Sequence, residues 1–199
     1  MKAGIREAVF MFVILTSGCT RRPTQHPRVP RLTRMLHNFH AVEPGVLYRS
    51  SQLSASMLST IIKKYGIKTI VNLRGRNEHK AWWQTEQTIA QTHKVTFINI
   101  PMSAQHLPQK QHLITLLETY NTAPRPMLIH CYSGSDRTGE AAALWVLEQQ
   151  KKGKHSALKQ LSLRYGHIPR VYPAKRFFIK LWQGIPWLNN EYDPLDYTP

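Results

Sequence analysis

The chain has 199 residues, enough for one domain with its own core. Its 27 Lys and Arg against 11 Asp and Glu give a formal charge of +16, which favours anionic partners such as phosphorylated substrates or anionic lipid. With no run of five like charges and no recognisable base-reading element, the chain is not a specific nucleic-acid module.

The first segment points to export. Lys2 and Arg6 make a basic start, Val9 to Leu15 is an apolar run too short to span a bilayer, and Thr16-Ser17-Gly18 precedes Cys19. This resembles a bacterial lipoprotein signal, in which the cysteine becomes the lipidated first residue, although Thr16 stands where leucine is usual. It implies that residues 1–18 are removed, that Cys19 attaches the protein to a membrane, and that the location is periplasmic. An ordinary cleaved signal and a short buried helix are the alternatives. Residues 19–38 carry Arg21, Arg22, Pro23, Pro27, Arg28, Pro30, Arg31 and Arg34, and read as a basic, Pro-containing tether. The folded domain is expected over 39–188, with an irregular tail over 189–199.

Val46-Leu47-Tyr48 reads as a short strand, followed by Arg49-Ser50-Ser51-Gln52. Met57, Leu58, Ile61, Ile62 and Tyr65 mark one face of a helix that stops at Gly66. Lys68 to Leu73 is the next strand, and Arg74 to Glu78 the loop after it. Trp82, Trp83, Glu86, Ile89, Ala90 and His93 suit a helix with one apolar face, the tryptophans serving as packing. Val95 to Ile100 is a strand feeding the Pro101–Pro108 loop, and Leu113, Leu116, Leu117 and Tyr120 then recur at helical spacing. Met127 to Ile129 is a further strand, and Ala141 to Leu147 a helix buried nearly all round. One more helix starts at Ala157 and stops near Gly166, and another runs through Phe177, Phe178, Leu181 and Trp182. Alternation of strands and helices predicts an α/β fold, a three-layer sandwich with a mainly parallel central sheet. Loops leaving the strand C-termini share one rim in such sheets, which makes Arg74 a candidate for substrate contact.

The chemistry concentrates in His130-Cys131-Tyr132-Ser133-Gly134-Ser135-Asp136-Arg137-Thr138-Gly139, between a strand and a helix. A tight loop at a helix N-terminus gathers backbone N–H groups and the positive end of the helix dipole, which suits a tetrahedral phosphate. A cysteine there, beside an arginine, is expected to be a thiolate and a nucleophile at phosphorus. Arg137 can grip two phosphate oxygens with its planar fork, and the Thr138 hydroxyl can support the sulfur as leaving group.

His130-Cys131, five residues, then Arg137-Thr138-Gly139 resembles the signature of the cysteine-dependent protein tyrosine and dual-specificity phosphatases. Tyr48-Arg49-Ser50-Ser51-Gln52 resembles the opening of their bacterial and fungal atypical members. The resemblance covers about residues 43–170, is strong at 130–139 and weak elsewhere. It implies a phosphotyrosine-phosphatase-like fold and a double displacement through a phosphocysteine, without metal or other cofactor. It makes Tyr132, Ser133, Gly134, Ser135, Thr138 and Gly139 the phosphate cradle, with His130 in support. The substrates implied are phosphorylated protein or small anionic phosphate esters. A phosphoinositide phosphatase and a catalytically weak phosphate-binding module are the alternatives.

The family's acid, an aspartate on a loop before the cysteine, has no counterpart. The aspartates are Asp136, Asp193 and Asp196, and the 101–108 loop offers Gln105 and His106 instead. Asp136 in the loop, His106, or no acid at all remain open as the source of the leaving-group proton. Asp136 also has a structural reading, as a brace for a neighbouring loop. Ser135 stands where many relatives carry lysine. Cys19 and Cys131 are the two cysteines, each with a separate use, so no disulfide is expected. Nothing in the sequence chooses an oligomeric state.

Overall fold

The computed structural model describes residues 26–199, so the signal-like segment and Cys19 lie outside the described residues. The sheet has the order β1-β2-β5-β3-β4, built from β1 (His40–Glu43), β2 (Leu47–Ser50), β3 (Thr69–Asn72), β4 (Thr96–Asn99) and β5 (Met127–His130). β2, β5, β3 and β4 run parallel, and β1 pairs antiparallel with β2 at one edge.

The central strand β5 fixes the geometry of the active rim. Its last residue, His130, lies opposite Ser50 of β2 on one side and Asn72 of β3 on the other. The three chains therefore leave the sheet together, carrying Ser51-Gln52, Cys131 and Leu73-Arg74 to one edge.

Side-chain alternation divides the core into two halves. Leu47, Val71, Met127 and Ile129 face α4 (Lys110–Thr122), α5 (Asp136–Glu148), α7 (Pro173–Leu181) and α8 (Ile185–Asn190), where Leu116, Trp145, Phe178 and Trp187 complete the layer. Tyr48, Ile70 and Leu128 face α2 (Ala55–Tyr65) and α3 (Ala81–Thr92), meeting Ile61, Ile62, Tyr65 and Ala90. This is the expected three-layer α/β sandwich. The helix α2 begins at Ser54, whose hydroxyl accepts from the Met57 N–H, and ends at Gly66 in the left-handed conformation.

Four segments differ from the sequence expectation. The presumed tether belongs to the fold from residue 26 onward: Val29 packs against the α2–α3 side, the Tyr65 hydroxyl donates to the Arg28 carbonyl, and Arg31–His37 forms helix α1. That helix buries no residue: Leu32, Met35 and Leu36 stand at helical spacing, but the stripe they form is exposed rather than packed on the domain. The edge strand β1 is short and irregular between Ala41 and Glu43. The helix expected from Ala157 to Gly166 is cut to α6 (Lys154–Leu158), and a 3-10 turn at Leu163–Tyr165 completes the span. The C-terminal tail contributes Tyr192 to the core, its hydroxyl donating to the Pro108 carbonyl at 2.7 Å.

Candidate active site

Cys131 sits at the base of the β5–α5 loop and is almost fully buried. The first bond joining the loop to α5 runs from the Gly139 N–H to the Ser135 carbonyl at 2.8 Å. Among the described residues, the N–H groups of Tyr132 through Thr138 donate to no backbone carbonyl. Helix geometry leaves the first turn's donors free, and here the preceding loop adds its own. Gly134 makes the turn possible: its φ is +75°, and a Cβ there would lie 2.6 Å from the Ser50 carbonyl oxygen. Gly139 serves contact of another kind, because a Cβ would meet Leu161 at 2.6 Å.

Arg49 holds the loop from behind. Buried in β2, it donates from Nη2 to the Gly134 and Ser135 carbonyls at 2.7 and 3.4 Å. Nη1 donates to the Gln160 carbonyl and side chain, both at 2.9 Å, and the guanidinium lies over the Tyr165 ring. Burial pushes Arg49 down to about 10, while the nearby Tyr165, Cys131 and Asp136 pull it back. Sequence reasoning quoted Arg49 within a motif without assigning it work. An arginine continuing directly from the apolar Val46-Leu47-Tyr48 run was the available signal.

On the open side, Arg74 is lowered by burial and by the Arg137 charge, and raised by Glu86, Cys131 and Tyr132. Arg74, Arg137 and the sulfur thus share one electrostatic neighbourhood, as the common rim requires. Arg74 Nη1 donates to Gln52 Oε1 at 2.9 Å, and its guanidinium stacks 3.5 Å from the Trp82 ring. It is oriented by an amide and an aromatic face, with no carboxylate neutralising it directly. Gln52 Nε2 donates to Glu86 Oε2 at 3.0 Å, and Glu86 Oε1 lies 2.7 Å from His130 Nε2. His130 Nδ1 faces the Cys131 carbonyl at 3.3 Å. His130 is therefore anchored, and a polar chain runs from it through Glu86 and Gln52 to Arg74. Glu86, buried on the apolar face of α3, is a second residue whose sequence position was the clue.

Arg137 Nε is buried and has no hydrogen-bond partner among the described residues, and the same holds for Thr138 Oγ1. The hydroxyl expected on the sulfur makes no hydrogen bond among the described residues, although Thr138 is buried in the first turn of α5. Asp136 Oδ1 lies 2.7 Å from Nδ1 of the fully buried His167, a contact that ties the start of α5 to the loop after Gly166. His106 is exposed, its N–H donating to Ser103 Oγ and its carbonyl accepting from Lys175 Nζ at 2.7 Å. Lys175 also meets both Glu140 oxygens, at 3.0 and 3.2 Å, with neither side chain reaching solvent. Tyr132 and Ser133 are exposed at the loop mouth, while Ser135 is buried. Among the described residues no three His, Cys, Asp or Glu side chains gather as metal ligands.

A sulfur beneath free N–H donors, with an arginine fork beside it, can bind a phosphate dianion and attack its phosphorus. Related proteins share the architecture. The chain is 26% identical over 143 residues to the dual specificity protein phosphatase TpbA of Pseudomonas aeruginosa strain UCBPP-PA14, a stretch covering 69% of this chain and 61% of that protein. The chain thus spans under two thirds of the length of this curated relative. The crystal structure of P. aeruginosa TpbA superposes with a TM-score of 0.60 at 20% identity, covering 78% of this chain and 89% of that one. The catalytic core of the PP-IP phosphatase SIW14 from S. cerevisiae gives 0.61 at 23% identity, covering 73% and 85%. The family described as DSP-PTPase phosphatase fused to NAD+ kinase matches residues 26–170, and the chain belongs to it.

Proposed function

We propose that this protein hydrolyses phosphomonoesters through a phosphocysteine on Cys131, acting as a protein tyrosine or dual-specificity phosphatase. The observation that carries this is the loop itself, with its free N–H donors, the unpartnered Arg137 Nε and Cys131 at the base. In the first step the Cys131 sulfur forms a bond to phosphorus as the ester P–O bond breaks, and the leaving oxygen takes a proton. Water then attacks the phosphocysteine, releasing phosphate and returning the thiolate. Arg137 and the loop donors hold the equatorial oxygens throughout, where charge redistributes. Arg74, presented by Gln52 and Trp82, stands at the mouth beside Tyr132 to meet the substrate. TpbA has been crystallised with phosphotyrosine, which supports an aryl phosphate of the same kind here.

Asp136 and His106 are the side chains to test as proton source. The 2.7 Å contact with His167 favours bracing for Asp136. Substrates with good leaving groups, aryl phosphates above all, then need least from either. Export and anchoring at Cys19 complete the proposal, supported by the basic start and apolar run before it.

Cys131→Ser is expected to abolish turnover of nitrophenyl phosphate and of a phosphotyrosyl peptide while the circular dichroism spectrum is kept. Undiminished turnover overturns the mechanism. Arg137→Lys should also lose most activity, because a point charge cannot replace the fork.

A further inference from the structure

Beside the Cys131 loop, on the side of α1, lies a cavity of about 550 Å³. Arg31, Arg34 and Arg164 line it, and Ser133 and Ser135 of the loop itself form the near wall. A second cavity of about 390 Å³ continues from it past Arg28 and shares Arg34 and Arg164. No carboxylate lines either space.

The positive charge is left uncompensated. Among the described residues Arg31, Arg34 and Arg164 form no ion pair, and Arg34 Nε is buried without a hydrogen-bond partner. His40, on the same wall, is pushed down to about 4 by burial and by repulsion from Arg49, Arg164 and Arg34. The cavity is also fixed relative to the loop. Asn38, in left-handed backbone at the end of α1, donates from Nδ2 to the Ser133 carbonyl at 3.1 Å and to the Tyr165 carbonyl at 2.9 Å. One side chain thus ties α1, the catalytic loop and the Arg164 turn together.

We propose that this cavity is a second anion subsite, which takes a second phosphate group of a substrate whose first phosphate lies over Cys131. The inference rests on the phosphatase function proposed above and adds that the preferred substrates carry more than one phosphoryl group. Arginine forks match phosphate oxygens two at a time, and they come here from both α1 and the 163–166 turn. The second phosphate can belong to a soluble ester or to a lipid headgroup, the recognition chemistry being the same.

The test uses the full chain at constant ionic strength, with nitrophenyl phosphate as reporter and orthophosphate or inorganic tripolyphosphate as competitor. Tripolyphosphate should inhibit about ten-fold or more tighter than orthophosphate, the factor expected of added charge-assisted hydrogen bonds. The double variant Arg34→Ala/Arg164→Ala should lose that factor while keeping nitrophenyl phosphate turnover and orthophosphate inhibition. Lys63→Ala/Lys64→Ala, which removes equal charge at the end of α2, should keep it. Loss in both variants, or in neither, overturns the subsite.

Two further arms separate the sources and the premises. A preference for a soluble inositol trisphosphate over its monophosphate supports the subsite. A preference confined to phosphoinositide in phosphatidylcholine vesicles, and abolished by Leu32→Ser/Leu36→Ser outside the cavity, assigns the effect to membrane contact and overturns it. Calorimetric binding of tripolyphosphate to Cys131→Ser protein reads the subsite without turnover. Turnover surviving in Cys131→Ser sinks the phosphatase function, while tripolyphosphate binding no tighter than orthophosphate sinks the subsite alone.

Discussion

Arg49 Nη2 donates to the Gly134 carbonyl across 2.7 Å, from a side chain with no exposure to solvent. A carbonyl held outward turns the flanking peptide N–H groups toward the loop interior, so the contact bears on the phosphate cradle as well as on stability. Arg49→Met keeps much of the volume but leaves two loop carbonyls unpaired. It is expected to cost about 2–5 kcal/mol, the range for breaking a buried charged hydrogen-bond network. Arg49→Lys should fold better yet lose most of kcat on nitrophenyl phosphate, because one ammonium cannot reach Gly134 and Gln160 together. Urea unfolding and steady-state kinetics separate the effects. Full kcat per folded molecule in Arg49→Lys removes Arg49 from the shaping of the loop.

The Asp136–His167 contact predicts which substrates suffer when it is broken. A brace supports every substrate equally, whereas a leaving-group acid matters most for poor leaving groups. Asp136→Asn is expected to lower kcat/KM for glycerol phosphate and nitrophenyl phosphate by similar factors, and His167→Asn to reproduce that pattern from its buried position. A far greater loss on glycerol phosphate in Asp136→Asn alone restores Asp136 as the acid.

These contacts also mark where the sequence stopped being legible. The core strands were visible because Ile70-Val71 with Leu73, and Met127 to Ile129, are short apolar β-rich runs, as expected of strands buried on both faces. The loop was visible because its residue types recur at fixed offsets dictated by phosphate geometry. Helix α1 was passed over because it is a single short element among Arg and Pro residues, and its apolar set Leu32, Met35 and Leu36 faces outward while Asn38 ties it to the domain. Polar residues inside the core left only indirect traces. Arg49 meets the Gly134 carbonyl, Glu86 meets His130, His167 meets Asp136 and Lys175 meets Glu140, all across distant parts of the chain, and pairings of that kind carry no local period.

His40 gives a pH prediction with a definite sign. Folded His40 takes a proton only near pH 4, against 6.5 ordinarily, because burial and the Arg49, Arg164 and Arg34 charges oppose it. Between those values the unfolded chain binds more protons, so this residue's contribution to stability falls as the pH drops from about 6.5 to about 4. Glu140 works the other way: burial raises it to about 7 despite Lys175, so its contribution is present below 4.5 and is lost as the pH rises through about 7. The two slopes oppose each other in the wild type. His40→Gln should therefore gain stability relative to wild type on going from pH 7 to pH 4.5, measured by urea midpoints. A constant difference across that range contradicts the assignment.

The Lys175–Glu140 pair links stability to the 101–108 loop, because Lys175 Nζ also donates to the His106 carbonyl at 2.7 Å. Lys175→Met strands a buried carboxylate and is expected to cost about 3–5 kcal/mol. Lys175→Met/Glu140→Gln should recover much of that, since both charges leave together and the pair's desolvation cost goes with them. The loop contact is not recovered in the double variant, because methionine offers His106 no donor. Hydrogen exchange over residues 102–108 should therefore stay fast in both variants while the unfolding midpoint separates them. Slow exchange in the double variant shows that Ser103 and the buried Leu107 hold the loop unaided, and that Lys175 serves the core alone.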